Sequence, residues 1–360
     1  MKAAVCREFG KPLSVEELRI VEPGPGELRV EVKACGVCHS DITYMDGSWG
    51  GELPAVFGHE VAGRVDAGGE GVTELQVGQH LIVSLMRACG RCPQCVTGRP
   101  GLCEGSFRLD GIQVLTDARG ESIKQGLRSG GFAQSVVVHA SQAVPIPQDI
   151  PFEAACLIAC AVLTGFGAVV NTAAVAPGQS VVVIGTGGVG LNAVQGAAIA
   201  GAYPVIAVDI SAQKLELARS FGATHTVDAR GGAEDAVGAA TGGRLADVVV
   251  VAAGSGRAVE QGLRLAARGG SVVVVGMPGM DVTSQLPVTT FAYEGQRILG
   301  SRMGSAQPRV DVPRLIALYK AGRLKLDELV TGRYPLEQIN DAIASAKRGD
   351  GIRNVVMVSE

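Results

Sequence analysis

Basic clusters are absent from this 360-residue sequence, in which 32 Lys and Arg residues are scattered among 35 Asp and Glu residues. The formal net charge at pH 7 is -3. A protein that binds nucleic acid or an anionic membrane surface through its charge needs a basic patch or stripe. The composition therefore argues against both kinds of partner and favours small-molecule chemistry.

Long uninterrupted apolar runs are also absent. The first residues, MKAAVCREFGKP, have Arg7 and Glu8 where a secretory signal needs its apolar core, so we expect a cytoplasmic protein. From Leu191 to Val208 the sequence is nearly uncharged, but Asn192 and Pro204 interrupt it. This pattern predicts a helix followed by a buried strand and not a membrane span.

The nine cysteines do not form an even set for disulfide pairing. In a reducing compartment, an odd number argues against a disulfide framework and directs attention to metal binding. Four thiols, with the spacing C-x2-C-x2-C-x7-C, occupy Cys89, Cys92, Cys95 and Cys103. Four thiolates complete a tetrahedral zinc shell, so zinc bound there would hold a loop in shape and leave no room for substrate.

The hydrophobic pattern differs between two parts of the chain. Up to about residue 150, short alternating runs end at turn residues and indicate strands: LRVEVKACG, HEVAGRVDAG, HLIVSL and FAQSVVVH. From Ala176, uncharged valine-rich strands such as SVVVIG, PVIAVD and DVVVVAAG alternate with helical segments such as KLELARSFG and AVEQGLRLAARGG. The predicted fold class is α/β, with a β-rich domain and a Rossmann-type, doubly wound parallel-sheet domain.

The segment VVVIGTGGVGL contains a G-x-G-x-x-G motif at Gly185, Gly187 and Gly190, after a predicted strand and at the start of a predicted helix. Such glycines let the backbone approach a pyrophosphate, which the free N–H groups of the helix N-terminus attract. Asp209, at the end of the next strand, can accept hydrogen bonds from the adenosine ribose. Because Asp209 would repel a 2′-phosphate and no Arg follows it directly, NAD is favoured over NADP. The alternative role for Asp209 is a simple helix cap.

A catalytic metal needs an open coordination position, so the remaining Cys and His residues are candidates. Cys38 in CGVCHSD and His59 in FGHE lie where predicted strands pass into loops, which makes them plausible ligands. Spacing leaves the third ligand open between Cys156 and Cys160, and it leaves open a purely structural role for His59.

Several segments, in this order and at these separations, resemble the zinc-dependent medium-chain alcohol dehydrogenases: GVCHSD, GHE, the four-cysteine stretch, CLIACAVLTGFGA and VVVIGTGGVGLNAVQGAAIAGA. The resemblance covers essentially the whole chain. It implies a GroES-like catalytic domain at residues 1–161 and 303–360, and an NAD-binding Rossmann domain at residues 162–302. It also implies hydride transfer between an alcohol and NAD, with one catalytic and one structural zinc per chain.

The resemblance implies a role for each site residue. The catalytic zinc ligands are Cys38, His59 and Cys160, with Glu60 and Asp41 as nearby carboxylates. The implied cofactor contacts are Gly185, Gly187, Gly188, Val189, Gly190, Asp209 and Lys214 for phosphate and ribose, Thr164 and Met277 for nicotinamide, and His39 and Arg353 for pyrophosphate. Ser40 takes the proton of the alcohol. Thr43 stands where many relatives have a histidine that completes the proton relay, and threonine is no base near neutral pH.

Trp49 and Leu85 match positions that line the alcohol pocket in relatives, so we expect a primary alcohol that is aromatic or of medium aliphatic length. A polyol or a secondary alcohol is the alternative within the family. The glutathione-dependent branch is disfavoured, because Trp49 and Phe107 replace its charged residues. An alternative of another class is a non-catalytic, zinc-stapled nucleotide-binding regulator. The strand-like segment GQRILGS resembles the dimer edge of relatives and predicts a homodimer or homotetramer.

Overall fold

The computed structural model describes residues 1–359, and the chain forms two compact units. Unit 1 comprises Met1–Cys160 and the chain from Gln307 onward, and unit 2 comprises Ala161–Ala306. The strands are β1 (Lys2–Cys6), β2 (Ser14–Glu17), β3 (Arg19–Ile20), β4 (Glu27–Gly36), β5 (Ala55–Val56), β6 (Glu60–Gly68), β7 (His80–Val83), β8 (Leu115–Thr116), β9 (Ser122–Gln125), β10 (Ser135–His139), β11 (Ala143–Pro145), β12 (Val181–Ile184), β13 (Val205–Asp209), β14 (His225–Asp228), β15 (Ala246–Val251), β16 (Ala266–Val274), β17 (Arg297–Gly300), β18 (Val330–Pro335) and β19 (Arg353–Met357).

The helices separate and flank these strands. They are α1 (His39–Met45), α2 (Pro93–Val96), α3 (Phe152–Leu157), α4 (Leu163–Gly167), α5 (Gly188–Ile199), α6 (Ala212–Ser220), α7 (Ala233–Ala240), α8 (Gly256–Leu265), α9 (Val288–Glu294), α10 (Pro308–Lys320) and α11 (Ile339–Arg348). Short 3₁₀ turns lie at Pro100–Leu102, Arg108–Asp110, Gly126–Arg128, Ala140–Gln142, Arg302–Ser305, Asp327–Leu329 and Leu336–Gln338, and π-helical turns lie at Ile158–Val162 and Ala168–Thr172.

Unit 1 is built on two sheets. One has the strand order β2-β1-β5-β9-β8-β3, and the other has the order β11-β7-β6-β4-β19-β18, with β10 also paired to β4. In β4, Leu28, Val30 and Val32 are fully buried, whereas Arg29 and Glu31 between them are partly exposed. This alternation follows the two-residue period of a strand and directs one face into a core that includes Phe132. Strand β19 pairs with the end of β4 and lies inside the sheet.

Unit 2 has one sheet with the order β14-β13-β12-β15-β16-β17, in which every pairing is parallel. Numbered within the unit, this order is 3-2-1-4-5-6, the arrangement of a doubly wound dinucleotide-binding fold. The central strand β12 is buried at all four positions, since helices cover a parallel sheet on both faces. The predicted α/β fold class is confirmed.

One predicted element differs in extent. The sequence AVEQGLRLAARGG predicts a helix, but α8 ends at Leu265 and the residues from Ala266 onward belong to β16. Ala246 in β15 pairs with Ala266, and this pairing competes with the helical propensity of the segment.

The helical segment Phe152–Thr172 is long and apolar enough to cross a membrane by length and composition. However, 83% of its most apolar window is buried inside the protein. The apolar side chains are therefore accounted for by core packing.

Candidate metal centres and nucleotide-binding loop

Cys38 lies directly before helix α1 and caps the N-terminus of that helix. Asp41, in the first turn, accepts a hydrogen bond from the backbone N–H of Cys38 through Oδ2 at 3.3 Å. Both side chains are buried, with exposed fractions of 5% and 0%. The end of β4 and the start of α1 therefore hold the Cys38 thiol inside unit 1.

His59 lies between β5 and β6, after a turn that requires glycine. Gly58 has φ +96, and a Cβ atom there would lie 2.6 Å from the backbone N of Phe132. Asp41 Oδ1 accepts hydrogen bonds from the Gly58 N–H and from His59 Nδ1, each at 2.9 Å. Because a carboxylate only accepts, Nδ1 of His59 carries the proton and Nε2 is the ring atom available to a metal.

Cys160 brings a second sulfur to His59. The thiol lies in the π-helical turn Ile158–Val162, a kind of turn that often occurs at functional sites, and its Sγ is 3.2 Å from His59 Nε2. Ligand atoms of Cys38, His59, Glu60 and Cys160 all lie within 4.8 Å of one another, and all four residues are buried. We call these four residues the buried cluster.

The buried cluster fits zinc by the chemistry of its donors. Two sulfurs and an imidazole are ligands that zinc accepts in a site with an open fourth position. In a tetrahedral shell with ordinary zinc bond lengths, sulfur and nitrogen ligands lie about 3.5 Å apart. The 3.2 Å between Cys160 Sγ and His59 Nε2 is close to that value.

The donors of the buried cluster shift one another's pKa values. The pKa of Cys38 is well below its ordinary value, since the Cys160 thiol donates a hydrogen bond to it and His59 is nearby, against the effect of burial. The same hydrogen bond and burial raise the pKa of Cys160. Burial disfavours the imidazolium, but Asp41 and Cys38 raise the pKa of His59 well above its usual value. A divalent cation would replace the protons that these groups share.

Glu60 and Arg353 form a buried pair beside the thiols. Arg353 Nη2 is 3.6 Å from Glu60 Oε1, and Arg353 Nη1 donates to the carbonyl of Val37 at 3.3 Å. Both Glu60 oxygens are buried without a hydrogen-bond partner. Burial raises the pKa of Glu60 to about 7, although Arg353 opposes the shift. Sequence reasoning assigned Arg353 to a pyrophosphate and missed this pair, since nothing in the spacing signals it.

The four-cysteine stretch forms a second cluster. Cys89, Cys92, Cys95 and Cys103 each offer a sulfur within 4.8 Å of the others, and all four are partly exposed. Backbone N–H groups of Cys89, Cys92 and Gly105 donate to sulfurs at 3.2–3.4 Å. Donation by the N–H groups of Glu104 and Cys95 lowers the pKa of Cys92 to about 6. The geometry fits a zinc whose shell is filled by protein.

In unit 2, the three motif glycines have three different backbone roles. Gly185 has φ +87 and turns the chain after β12. Gly187 caps α5, and a Cβ atom added to it would meet nothing within 4 Å, so the turn is open for a ligand to approach. A Cβ atom on Gly190 would lie 1.8 Å from the carbonyl oxygen of Gly185. Gly188 and Val189 form the first turn of α5. This is the construction of a pyrophosphate-binding loop.

Asp209 ends β13 beside this loop. Its Oδ2 accepts hydrogen bonds from the N–H of Thr186 at 2.7 Å and from the Thr186 hydroxyl at 3.0 Å, and its Oδ1 accepts one from the N–H of Ser211 at 2.9 Å. Ser211, and not Asp209, is the N-cap of α6. The carboxylate keeps lone pairs for a further donor such as a ribose hydroxyl. Lys214 lies in the first turn of α6 and is partly exposed.

Two further residues implied at the cofactor also lie in unit 2. Thr164 in α4 is buried, and its hydroxyl lies 3.7 Å from the sulfur of Met303. Its neighbour Gly165 packs directly on α5, because a Cβ atom there would lie 2.1 Å from the Val189 carbonyl oxygen. Met277 follows β16 and is 64% exposed.

The remaining predicted residues lie in unit 1, most of them on or just after α1, whereas Leu85 follows β7. His39 is exposed and Ser40 is partly buried at the start of this helix. The Thr43 hydroxyl donates to the His39 carbonyl at 2.8 Å, so it is occupied within the helix. Trp49 and Leu85 are partly buried.

Comparison with known proteins connects both units to one family. The family model of the alcohol dehydrogenase GroES-like domain matches residues 24–148, and that of the zinc-binding dehydrogenase matches residues 188–321. Alcohol dehydrogenase B of Mycobacterium tuberculosis is 37% identical, with 100% of this chain and 98% of that protein covered. An NDMA-dependent alcohol dehydrogenase of Amycolatopsis methanolica is also 37% identical, with 99% of each chain covered.

A solved structure agrees with these matches. The crystal structure of benzyl alcohol dehydrogenase from Acinetobacter calcoaceticus superimposes with a TM-score of 0.93 at 33% identity, and 99% of each chain is covered. The chain therefore belongs to the zinc-dependent medium-chain alcohol dehydrogenases, oxidoreductases that act on alcohols.

Proposed function

We propose that this enzyme interconverts a primary alcohol, aromatic or of medium aliphatic length, and its aldehyde, with NAD as the hydride acceptor. The observation that carries the proposal is the buried cluster, in which Cys38, His59 and Cys160 present three donors beside the unbonded carboxylate of Glu60. Three protein ligands of this type leave one coordination position for substrate.

Zinc held by Cys38, His59 and Cys160 supplies Lewis-acid polarisation of an alcohol or carbonyl oxygen when it is bound. The protein prepares this site in advance. Asp41 accepts the Nδ1 proton of His59 and thereby directs Nε2 toward the cluster. Burial of all the donors keeps bulk water away from the reacting oxygen.

Ser40 is the proposed acceptor of the hydroxyl proton of the alcohol. It is partly buried two residues after Cys38, and its hydroxyl can donate and accept hydrogen bonds in turn. Thr43 cannot continue a relay, because its hydroxyl is bonded to the His39 carbonyl. From Ser40 the proton passes to water or to the exposed imidazole of His39.

The loop of Gly185, Gly187 and Gly190 would hold NAD, which would supply the hydride acceptor when bound. The open turn at Gly187 and the carboxylate of Asp209 support a dinucleotide without a 2′-phosphate. The remaining contacts of this proposal are those implied by the family resemblance, including Lys214 and Met277.

The choice of substrate rests on the pocket residues and on one relative. Trp49 and Leu85 offer apolar surface to an alcohol side chain. The similar structure from Acinetobacter is a benzyl alcohol dehydrogenase by name, which supports an aromatic primary alcohol.

A substrate panel tests the proposal. Purified protein with two zinc ions per chain is mixed with NAD and either benzyl alcohol, 1-hexanol, cyclohexanol or sorbitol, and absorbance at 340 nm is followed. We expect kcat/KM to be highest for one of the two primary alcohols and to be lower with NADP. Since one relative is NDMA-dependent by name, NDMA is included as an alternative acceptor. Preference for cyclohexanol or sorbitol would refute the substrate assignment, and turnover with NDMA alone would refute free NAD as the acceptor.

We also propose that the enzyme is a homo-oligomer that pairs through β17. This strand is at the edge of the unit 2 sheet, and Ile298 within it is 40% exposed. Light scattering after size-exclusion chromatography should give a mass of two or four chains, and Ile298→Lys should lower it. Val310→Lys is the matched control, because Val310 is similarly exposed at 42% but lies on α10 in unit 1. A monomeric parent protein would contradict the proposal.

A further inference from the structure

Trp49 is the only tryptophan in the sequence, and a second aromatic ring holds its indole. The ring of Tyr44 meets the indole edge to face, with centroids 5.1 Å apart and an interplanar angle of 84°. Edge-to-face contact is one of the two preferred arrangements of aromatic rings, and it restricts the plane of one ring relative to the other.

Tyr44 is itself held on its other side. Its ring stacks on Phe57 with centroids 6.0 Å apart and planes 19° from parallel. Phe57 is buried, and its carbonyl accepts a hydrogen bond from the N–H of Phe132 at 2.9 Å. Trp49, Tyr44 and Phe57 therefore form a contiguous aromatic row whose inner end is anchored in the core of unit 1.

The aromatic row shares its support with the buried cluster. Asp41 and Tyr44 are three residues apart on α1, so they lie on one face of the helix. Asp41 contacts Gly58 and His59, and Tyr44 contacts Phe57, which are consecutive residues of one segment. Tyr44 and Asp41 therefore contact one segment from one helix face, with Tyr44 on Phe57 and Asp41 on the two residues after it.

The backbone around Trp49 is also tied to α1. The N–H of Gly47 donates to the carbonyl of Tyr44 at 3.0 Å, and the N–H of Ser48 donates to the carbonyl of Thr43 at 3.1 Å. The N–H of Gly50 closes the turn on Gly47 at 2.9 Å. With the backbone held, the orientation of the indole depends on its side-chain torsions, and Tyr44 restricts these.

We infer that Tyr44 is a positioning residue that fixes the Trp49 indole so that its accessible surface forms a subsite for the aromatic ring of the alcohol. The inference deepens the proposed function and rests on it, because it places the side chain of that alcohol against Trp49. Tyr44 acts through Trp49 and takes no part in the chemical step. Its effect therefore falls on KM and on discrimination between substrates.

The kinetic test compares benzyl alcohol with cyclohexylmethanol, which has a saturated ring of similar size. Tyr44→Leu keeps apolar volume but removes the ring, whereas Tyr44→Phe keeps the ring and removes the hydroxyl. We expect Tyr44→Leu to reduce the preference for benzyl alcohol about three- to tenfold through KM, with kcat and zinc content unchanged. Tyr44→Phe should retain the parent preference. An unchanged preference in Tyr44→Leu, or an equal loss for both alcohols, would refute the inference.

A second measurement uses the wild-type protein and does not depend on the folding of a variant. Because Trp49 is the sole tryptophan, emission excited at 295 nm reports on this residue alone. Benzyl alcohol added with ADP-ribose, which has no nicotinamide to reduce, should change the emission saturably, and cyclohexylmethanol should change it less. Tyr44→Leu should weaken the response to benzyl alcohol.

The two measurements separate the inference from the proposed function. Oxidation of benzyl alcohol without any emission change at saturating concentration would overturn the subsite and leave the proposed function standing. A saturable emission change without oxidation of any alcohol by any acceptor would overturn the proposed function and support the subsite.

Discussion

Replacement of Asp41 by asparagine removes one charge from the buried cluster without changing the shape of the side chain. Asp41 accepts three hydrogen bonds, from His59 Nδ1 and the N–H of Gly58 at 2.9 Å and from the N–H of Cys38 at 3.3 Å. An asparagine has only one accepting oxygen, and its NH₂ group must face a donor on the other side. In one orientation the NH₂ group meets the N–H of Cys38. In the other orientation the NH₂ group faces the N–H of Gly58 and His59 Nδ1. Nδ1 must then accept a hydrogen bond, so the proton of the imidazole moves to Nε2.

Either orientation weakens metal binding. The first leaves a buried N–H beside Cys38 without an acceptor, and the second places a proton on the atom of His59 that binds metal. Loss of a buried hydrogen bond to a charged group costs about 1.5–3 kcal/mol. Such a loss corresponds to roughly 10- to 100-fold in affinity, which is the usual effect of removing a partner of a metal-binding histidine.

Zinc competition with a chromogenic chelator measures this directly. We expect Asp41→Asn to release one zinc per chain at a roughly 10- to 100-fold lower chelator concentration than the parent protein. The zinc that we propose at the four-cysteine cluster serves as the internal reference, and its release should be unaffected. Asp46→Asn is the matched control, because Asp46 follows the same helix but is exposed and pairs with Lys347 at 2.8 Å. Parent-like zinc affinity in Asp41→Asn would show that Asp41 does not set the His59 tautomer.

Three further predictions concern other residues of unit 1. Ser40→Ala should lower kcat at least about tenfold, whereas Thr43→Val should leave kcat unchanged. If stopped-flow measurements give Ser40→Ala the same rate as Thr43→Val and the parent enzyme, Ser40 is not on the proton path. Cys92→Ser should lower the zinc content by one ion per chain, measured by atomic absorption, and retention of both ions would contradict zinc binding at the four-cysteine cluster. Arg353→Gln leaves the Glu60 carboxylate buried without its cation and should cost on the order of 3 kcal/mol in urea denaturation. The double variant with Glu60→Gln should regain part of the lost free energy of unfolding. If the free-energy changes of the two single variants simply add in the double variant, the two residues are not coupled.

The fold was predictable where the local pattern and the tertiary structure agree. Residues 28–32 of β4 alternate between buried and partly exposed, and β12 is an uncharged run that is buried throughout, so both strands followed from the sequence. The glycine-rich loop was predictable for the same reason, because only glycine permits φ +87 at Gly185 and the close approach at Gly190.

The site was less predictable where it depends on distant contacts. Cys156 and Cys160 are one turn apart, so spacing does not distinguish them, and the sequence does not signal the π-helical turn Ile158–Val162. In the structure, Cys160 lies against His59 and the Cys156 thiol lies 3.3 Å from the Glu153 carbonyl. Only the resemblance to a family selected Cys160 beforehand.

The pair of Glu60 and Arg353 could not be predicted from the sequence either, because the two residues are far apart in the chain. Arg353 reaches Glu60 because β19 pairs with the end of β4, next to Cys38. A pairing between strands so far apart in the chain depends on the whole sheet and not on a local motif. The extent of α8 was mispredicted because the pairing of Ala266 in β15–β16 overrides helix propensity.

The interior position of β19 has a consequence for biosynthesis. A ribosome delivers this strand only after all of unit 2, which contains its own parallel sheet and can fold as soon as it emerges. Until then the edge of β4 that β19 covers lacks both β19 and the neighbouring β18, which is also encoded after unit 2, and the carboxylate of Glu60 lacks Arg353. We therefore expect a chain truncated before Arg353 to bind a cation at the buried cluster less tightly than the full chain does, because the buried charge of Glu60 then has no partner.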